Sequence, residues 1–215
     1  MRRLAVISAL LACSLLATAV ALGGRPRLEQ KRLRAADVAL AKRTAVRASD
    51  LPAGWVRRAP TNVPEVLPVC PGADLDFSAF TITGKAQSKF ERNAAAVESQ
   101  IEVYESRRDA VGDFRKGSAP AVLACLGPEM RRQARAAGVE IRIESSKLVG
   151  RPAVGERAIA YRIRLSVAAG AKRVRLYVDL VALQRGRTIA ALFFTGTDPV
   201  AGRLAVARAV AARAR

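Results

Sequence analysis

Two stretches restrict the fold more than any other part of the chain: RAIAYRIRLSV at residues 157–167 and KRVRLYVDLVAL at residues 172–183. In the first, Ile159, Tyr161, Ile163, Leu165 and Val167 recur at every second position; in the second, Val174, Leu176, Val178, Leu180 and Ala182 do the same. Side chains alternate across a strand, so this period gathers each set on one face of a sheet. The loop AAGA joins the two strands. Pairing Leu165 with Val174 aligns both apolar faces and predicts an antiparallel hairpin. Arg185-Gly186 then makes a second tight turn. TIAALFFTG at residues 188–196 is apolar on both faces, as a central strand must be.

The remaining segments extend this sheet and pack it. DFSAFTITG at 76–84 reads as a short strand ending at Gly84. AVESQIEVYES at 96–106 sets Val97, Ile101 and Val103 against Glu98, Gln100, Glu102 and Tyr104. VEIRIES at 139–145 alternates Val139, Ile141 and Ile143 with Glu140, Arg142 and Glu144. Ser106 caps a predicted helix running to Lys116, with Val111 and Phe114 inward. Residues 119–138 form a helical stretch that the Gly127-Pro128 pair breaks in two. Asp198-Pro199 supplies an N-cap and first helical position for a final helix to Arg215. Helices thus cluster apart from strands. The expected class is α+β: an antiparallel sheet of about six strands with packed helices.

The N-terminus bears on location. MRR precedes an apolar run from Leu4 to Leu22, the order of a secretory signal, and Ala19-Val20-Ala21 fits a cleavage site. The run is also long enough to span a bilayer as an uncut anchor. Leu10-Leu11-Ala12-Cys13 resembles a lipobox, although apolar residues continue past Cys13. The following RPRLEQKRLR is more basic than MRR, which by the positive-inside rule favours a cytoplasmic placement. LEQKRLRAADVALAKRTAVRA at 28–48 is rich in strong helix formers, as a stalk or as a helix packed on the domain. Pro52 and Gly54 end it, and Trp55 anchors the entry into the fold. Four prolines between residues 56 and 73 predict an extended crossing. The organisation expected is a signal peptide or anchor at 1–21, a basic helical linker at 22–49 and an α+β domain at 50–215.

Composition narrows the chemistry. The chain has no histidine, which removes the commonest general base and most zinc sites. The Gly-Lys of GKAQS at 84–88 lacks the upstream glycine of a phosphate loop, so no cofactor or metal motif is read here. Tyr104, Glu102 and Lys147 can be combined into an acid–base set, but no spacing demands it. Beyond the leader only Cys70 and Cys125 remain, without a CxxC; in a chain with secretory features this even pair predicts a disulfide, the alternative being two buried thiols. The formal charge of +19 suits an anionic partner. On the hairpin face opposite the core lie Arg162, Arg164, Arg173, Arg175, Tyr177 and Asp179. The proposed register sets Arg164 opposite Arg175, a repulsive pair that an anionic ligand must offset, or Glu98 and Glu102 if the strand at 97–104 is a neighbour. Arg162, Arg164, Arg175 and Tyr177 are therefore the candidate ligand-binding residues.

The signal-like start, LPAGW, the placement of Cys70 and Cys125, TITGKAQSKF, VESQIEVYES and LVALQRGRTIAALFF followed by a helix form an ordered set. In this order the chain resembles the extracellular sensor domains of PknH-type Ser/Thr kinases and related PsbP-like α+β lipoproteins of actinobacteria. The resemblance implies an exported ligand-binding or sensing module of the cell envelope that is not an enzyme. It departs from the kinase sensors in having one possible disulfide where they carry two, and no kinase domain accompanies it, so neither a kinase role nor any binding residue carries over. The partners expected are an anionic envelope ligand or lipid, with membrane contact through the N-terminal segment. Nucleic acid has no recognition motif here, and export argues against it. The competing readings are a membrane-anchored cytoplasmic basic domain on anionic lipid or nucleic acid, and a histidine-free hydrolase.

Overall fold

A computed structural model describes residues 27–60, 70, 72–169 and 172–214. The expected leader with its cleavage site and Cys13, and most of the proline-rich crossing, lie outside the described residues. In chain order the elements are β1 (Gln30–Lys31), α1 (Ala35–Thr44), β2 (Val56–Arg58), β3 (Thr81–Arg92), β4 (Ala95–Tyr104), α2 (Arg107–Gly117), α3 (Pro120–Ala136), β5 (Ile141–Gly150), β6 (Arg157–Ala169), β7 (Lys172–Arg185), β8 (Thr188–Gly196) and α4 (Arg203–Arg213). The strands form one sheet in the order β1-β3-β4-β8-β7-β6-β5, with β2 also paired to β3. All pairings are antiparallel except that of β1 with β3. The fold is α+β. The six expected strands are β3 to β8. The two added strands, β1 and β2, have only two and three residues, too few to show a period, and bring the described sheet to eight.

The sheet is buried on both faces, but by different helices over different strands. Helices α1 and α4 cover one face, where Val97, Ile101, Val103, Val181, Leu183, Leu192 and Phe194 meet Ala41, Val206 and Val210. Helices α2 and α3 cover the other, packing Phe114, Leu123 and Met130 on Ile159, Tyr161, Ile163, Leu165 and Leu176. This two-sided cover explains why TIAALFFTG is apolar throughout: β8 lies between β4 and β7 in the middle of the sheet. Tyr161 keeps its polar end satisfied in the core by donating to the Leu123 carbonyl at 2.9 Å, with Ser146 Oγ also at 2.9 Å. Trp55 packs against the first cluster, with the Arg92 guanidinium 5.1 Å from its ring centre.

Helix α1 belongs to the core and does not stand off as a stalk: Ala41 is fully buried, and two ion pairs fasten its ends. Arg187 reaches Asp37 at 2.8 Å, while Arg213 reaches Asp50, just past the helix, at 2.6 Å. The helix is shorter than the span 28–48, because Gln30 and Lys31 pair with Thr81 and Ile82. Gly84 has a different role from the one expected. It does not end a strand; β3 runs through it for 12 residues. A Cβ at this position would lie 2.2 Å from the Asp37 carbonyl oxygen, so the missing side chain lets α1 cross close over β3.

Three further expectations are corrected. The β6–β7 register pairs Leu165 with Leu176, not with Val174; Arg164 faces Tyr177, and Arg175 faces Ser166. The strands extend to Ala169 and Lys172, so the connection is two residues, shorter than AAGA, and the register moves by two. A shift of two preserves which face each side chain takes. Helix α3 continues through Gly127-Pro128. Gly127 faces Ser146 and Ile143 of β5, and the helix runs on past Pro128, which lacks the amide donor. Helix α4 starts at Arg203 rather than at Pro199, because Gly202 has a φ of 74°.

Cys70 and Cys125 are joined in a disulfide with a Cα–Cα distance of 5.5 Å, across 55 residues of sequence. The bridge fixes the segment before β3 to α3. Around it pack Leu75, Phe77 and Val122. A loop of that length gives the bridge about 4 kcal/mol of stabilisation on the chain-entropy account.

Candidate anion-binding face

Beyond the start of α4, where Arg203 approaches Asp179, the face that α1 and α4 cover elsewhere carries the exposed Arg142, Arg164 and Arg175. Strands β5, β6 and β7 project their polar alternates there. Register places Arg142, Ser166 and Arg175 in one cross-strand row, Ser145, Arg164 and Tyr177 in the next, and Lys147, Arg162 and Asp179 in the third. The sequence motif behind this is the alternation itself: once Ile163 and Leu165 face the core, Arg162, Arg164 and Ser166 must face the other way.

All four candidate residues, Arg162, Arg164, Arg175 and Tyr177, share this face, but Glu98 and Glu102 are not their partners: β8 separates β4 from β7, and these carboxylates pair with Lys89 and Lys85. Arg162 is committed. It donates Nε and an Nη to the two oxygens of Asp179 at 2.6 and 3.0 Å, and Asp179 is 2% exposed. The Asp179 carboxylate holds the Arg162 pKa above its ordinary value. Arg203, at the start of α4, approaches the same carboxylate at 3.5 Å. Tyr177 lies against Arg162, with 5.8 Å between ring centre and guanidinium carbon. Arg164 and Arg175 do not oppose each other. They share Glu144, at 3.0 and 3.1 Å. One carboxylate between two guanidinium groups removes the repulsion that the sequence register implied, yet leaves a surplus of positive charge. The Arg175 side chain remains 61% exposed and that of Arg164 44%.

Next to this triad is a concavity of about 470 Å³ lined by Arg142, Ile143, Glu144, Ser166, Arg173 and Arg175. Arg173 is paired with the exposed Glu140. The Arg142 side chain has no ion pair or hydrogen bond among the described residues. Arg142 and Ser166 are the contributions that the candidate set lacks. Their signal was present in VEIRIES and RIRLSV as polar alternates, but only strand pairing shows that they flank Arg175. Arginine guanidiniums beside a hydroxyl offer donors in the forked geometry that binds carboxylate or phosphate oxygens.

A second polar cluster is closed rather than open. Tyr104, fully buried beneath α2, has its hydroxyl 2.6 Å from Asp113 Oδ2 and 3.1 Å from Glu102 Oε2. Lys85 meets Glu102 at 3.1 Å. Burial, with Glu102 and Glu29 nearby, pushes the Asp113 carboxyl up to about 8; burial also raises Glu29. The acid–base trio suggested by the sequence is divided: Tyr104 and Glu102 meet here, but Lys147 is on β5, four strand positions away from β4. No group of metal-ligating side chains occurs among the described residues.

No protein-family model matches the chain, and no curated protein matches it either.

Proposed function

We propose that the protein is an exported, non-enzymatic binding or sensor-type module of PsbP-like kind, which holds an anionic ligand of the cell envelope on the open face of β5–β7. The single observation that carries this reading is the row Arg142–Ser166–Arg175. It combines an arginine whose side chain has no partner among the described residues, an arginine largely exposed to solvent and a hydroxyl between them, beside a concavity. The bound disulfide is consistent with an extracellular protein, and no described helix is long and apolar enough to cross a membrane. Ligands with phosphate or carboxylate groups fit the donors.

With a chain charge of +19, weak attraction to any polyanion is expected, so the test must separate the face from the bulk charge. Inorganic polyphosphate is titrated against the native protein, an Arg142→Gln/Arg175→Gln variant and an Arg131→Gln/Arg208→Gln variant of equal charge. Arg131 and Arg208 are exposed on α3 and α4. The first variant is expected to bind about tenfold more weakly, as loss of charged hydrogen bonds implies. Equal weakening in both variants overturns the site.

A further inference from the structure

At the opposite end of β6 from the arginine row, a groove of about 450 Å³ runs between the last turn of α2 and the β5–β6 connection. Its walls are of two kinds. Phe114, Val154 and Ala158, each less than a tenth exposed, together with Pro152, give an apolar floor. Arg115, Arg151 and Arg157 stand around it. Arg157 donates to the Gln184 side chain at 3.0 Å. The groove's one lining carboxylate, Glu156, is already engaged: Arg107 donates to it at 2.8 Å and the Gly186 amide at 3.2 Å. Arg115 and Arg151 are both exposed, and their side chains have no ion pair or hydrogen bond among the described residues.

We propose that this groove binds a small amphiphilic anion: a single acyl chain carrying a carboxylate or phosphate head. The two parts of the lining require both halves of such a ligand. A plain anion would satisfy Arg115 and Arg151 but leave the Phe114, Pro152 and Val154 surface in water. A neutral apolar molecule would cover that surface but desolvate two uncompensated guanidiniums, which is costly. A head group between Arg115 and Arg151 with its chain along Phe114 and Val154 meets both demands. The volume falls within the range of small-molecule sites, about 300–1,000 Å³. The groove shares none of its lining residues with the face of β5–β7, so this inference stands independently of the polyphosphate site.

Amide chemical shifts of the folded domain are followed while decanoate, decyl phosphate, decyltrimethylammonium or inorganic phosphate is added. Decanoate or decyl phosphate is expected to move resonances of residues 114–118 and 151–158 saturably. Affinity should rise about fourfold per methylene from hexanoate to decanoate. The charge variant Arg115→Gln/Arg151→Gln and the filling variant Ala153→Trp, both at exposed positions, should each weaken binding at least tenfold with the fold intact by circular dichroism. The head group that binds more tightly identifies the natural one. The inference is overturned if no saturable shift occurs in these segments, if the decyl cation binds as well as the anions, or if inorganic phosphate binds as tightly as decyl phosphate. It is also overturned if Arg142→Gln/Arg175→Gln, and not the groove variants, abolishes the shifts.

Discussion

Asp113 is surrounded by Tyr104, Glu102 and Glu29, with Lys85 the cation paired to Glu102. Its carboxyl titrates near 8 in the fold, against an ordinary value of 3.8. The folded state therefore holds a proton that the unfolded chain has released. Stability from this group is fully present below about pH 4 and falls as pH rises towards about 8. The expected slope is at most about 1.4 kcal/mol per pH unit for one proton. Asp113→Asn, which keeps the Tyr104 acceptor without the charge, should flatten this decline in denaturant titrations; an unchanged slope would show that Asp113 does not cause it. Asp50 acts in the opposite sense. Arg213 donates to it at 2.6 and 2.9 Å, and its pKa is lowered. Asp50→Ala leaves the Arg213 guanidinium, 20% exposed, without its counter-ion and should cost about 3 kcal/mol of unfolding free energy. A loss below about 1 kcal/mol would mean that the Thr44 and Ala45 carbonyls, which also accept from Arg213, are enough.

Among the elements, α1 and β3 depend on each other through one missing side chain. Gly84→Ala would bring a Cβ to 2.2 Å from the Asp37 carbonyl, and backbone cannot yield as a side-chain tip can. The variant should lose about 3 kcal/mol, with the greatest gain of amide exchange in α1. Wild-type stability would contradict the close crossing. The sequence could not show this, because a glycine within a polar strand reads equally as an end. The faces of β4, β6 and β7 were legible because burial imposes a period of two on Val97, Ile101, Ile163, Leu165 and Leu176. Register was not legible. It depends on how far the two strands run towards each other, here to an Ala169–Lys172 pair, and moving it by two residues leaves every apolar side chain on the same face. That shift separated Arg164 from Arg175 and introduced Ser166. The four candidate residues thus share a face, as the alternation implied, but Arg164 and Arg175 are not a cross-strand pair. Glu144, which binds both arginines, was visible as a residue but not as a neighbour, since a β-bulge in β5 between Ile143 and Ser145 sets its position.

At the scale of the whole molecule, positive charge, an open arginine face and a covalent tie between distant segments form one account. On the proposed reading, the charge would draw anions, the face would select among them, and the Cys70–Cys125 bridge would stabilise the fold in a compartment where thiols are oxidised. Cys70→Ser/Cys125→Ser should lower stability by about 4 kcal/mol, with polyphosphate affinity retained wherever the variant is folded, because the bridge lies on the side of the sheet opposite to the face. The most direct test is the state of the two sulfurs in the producing cell. Protein taken from freshly lysed cells under acid quench is alkylated without reductant, and its intact mass is measured. The account predicts no alkyl group on Cys70 or Cys125 until reductant is added, and then one on each. Alkylation of both before reduction would contradict it.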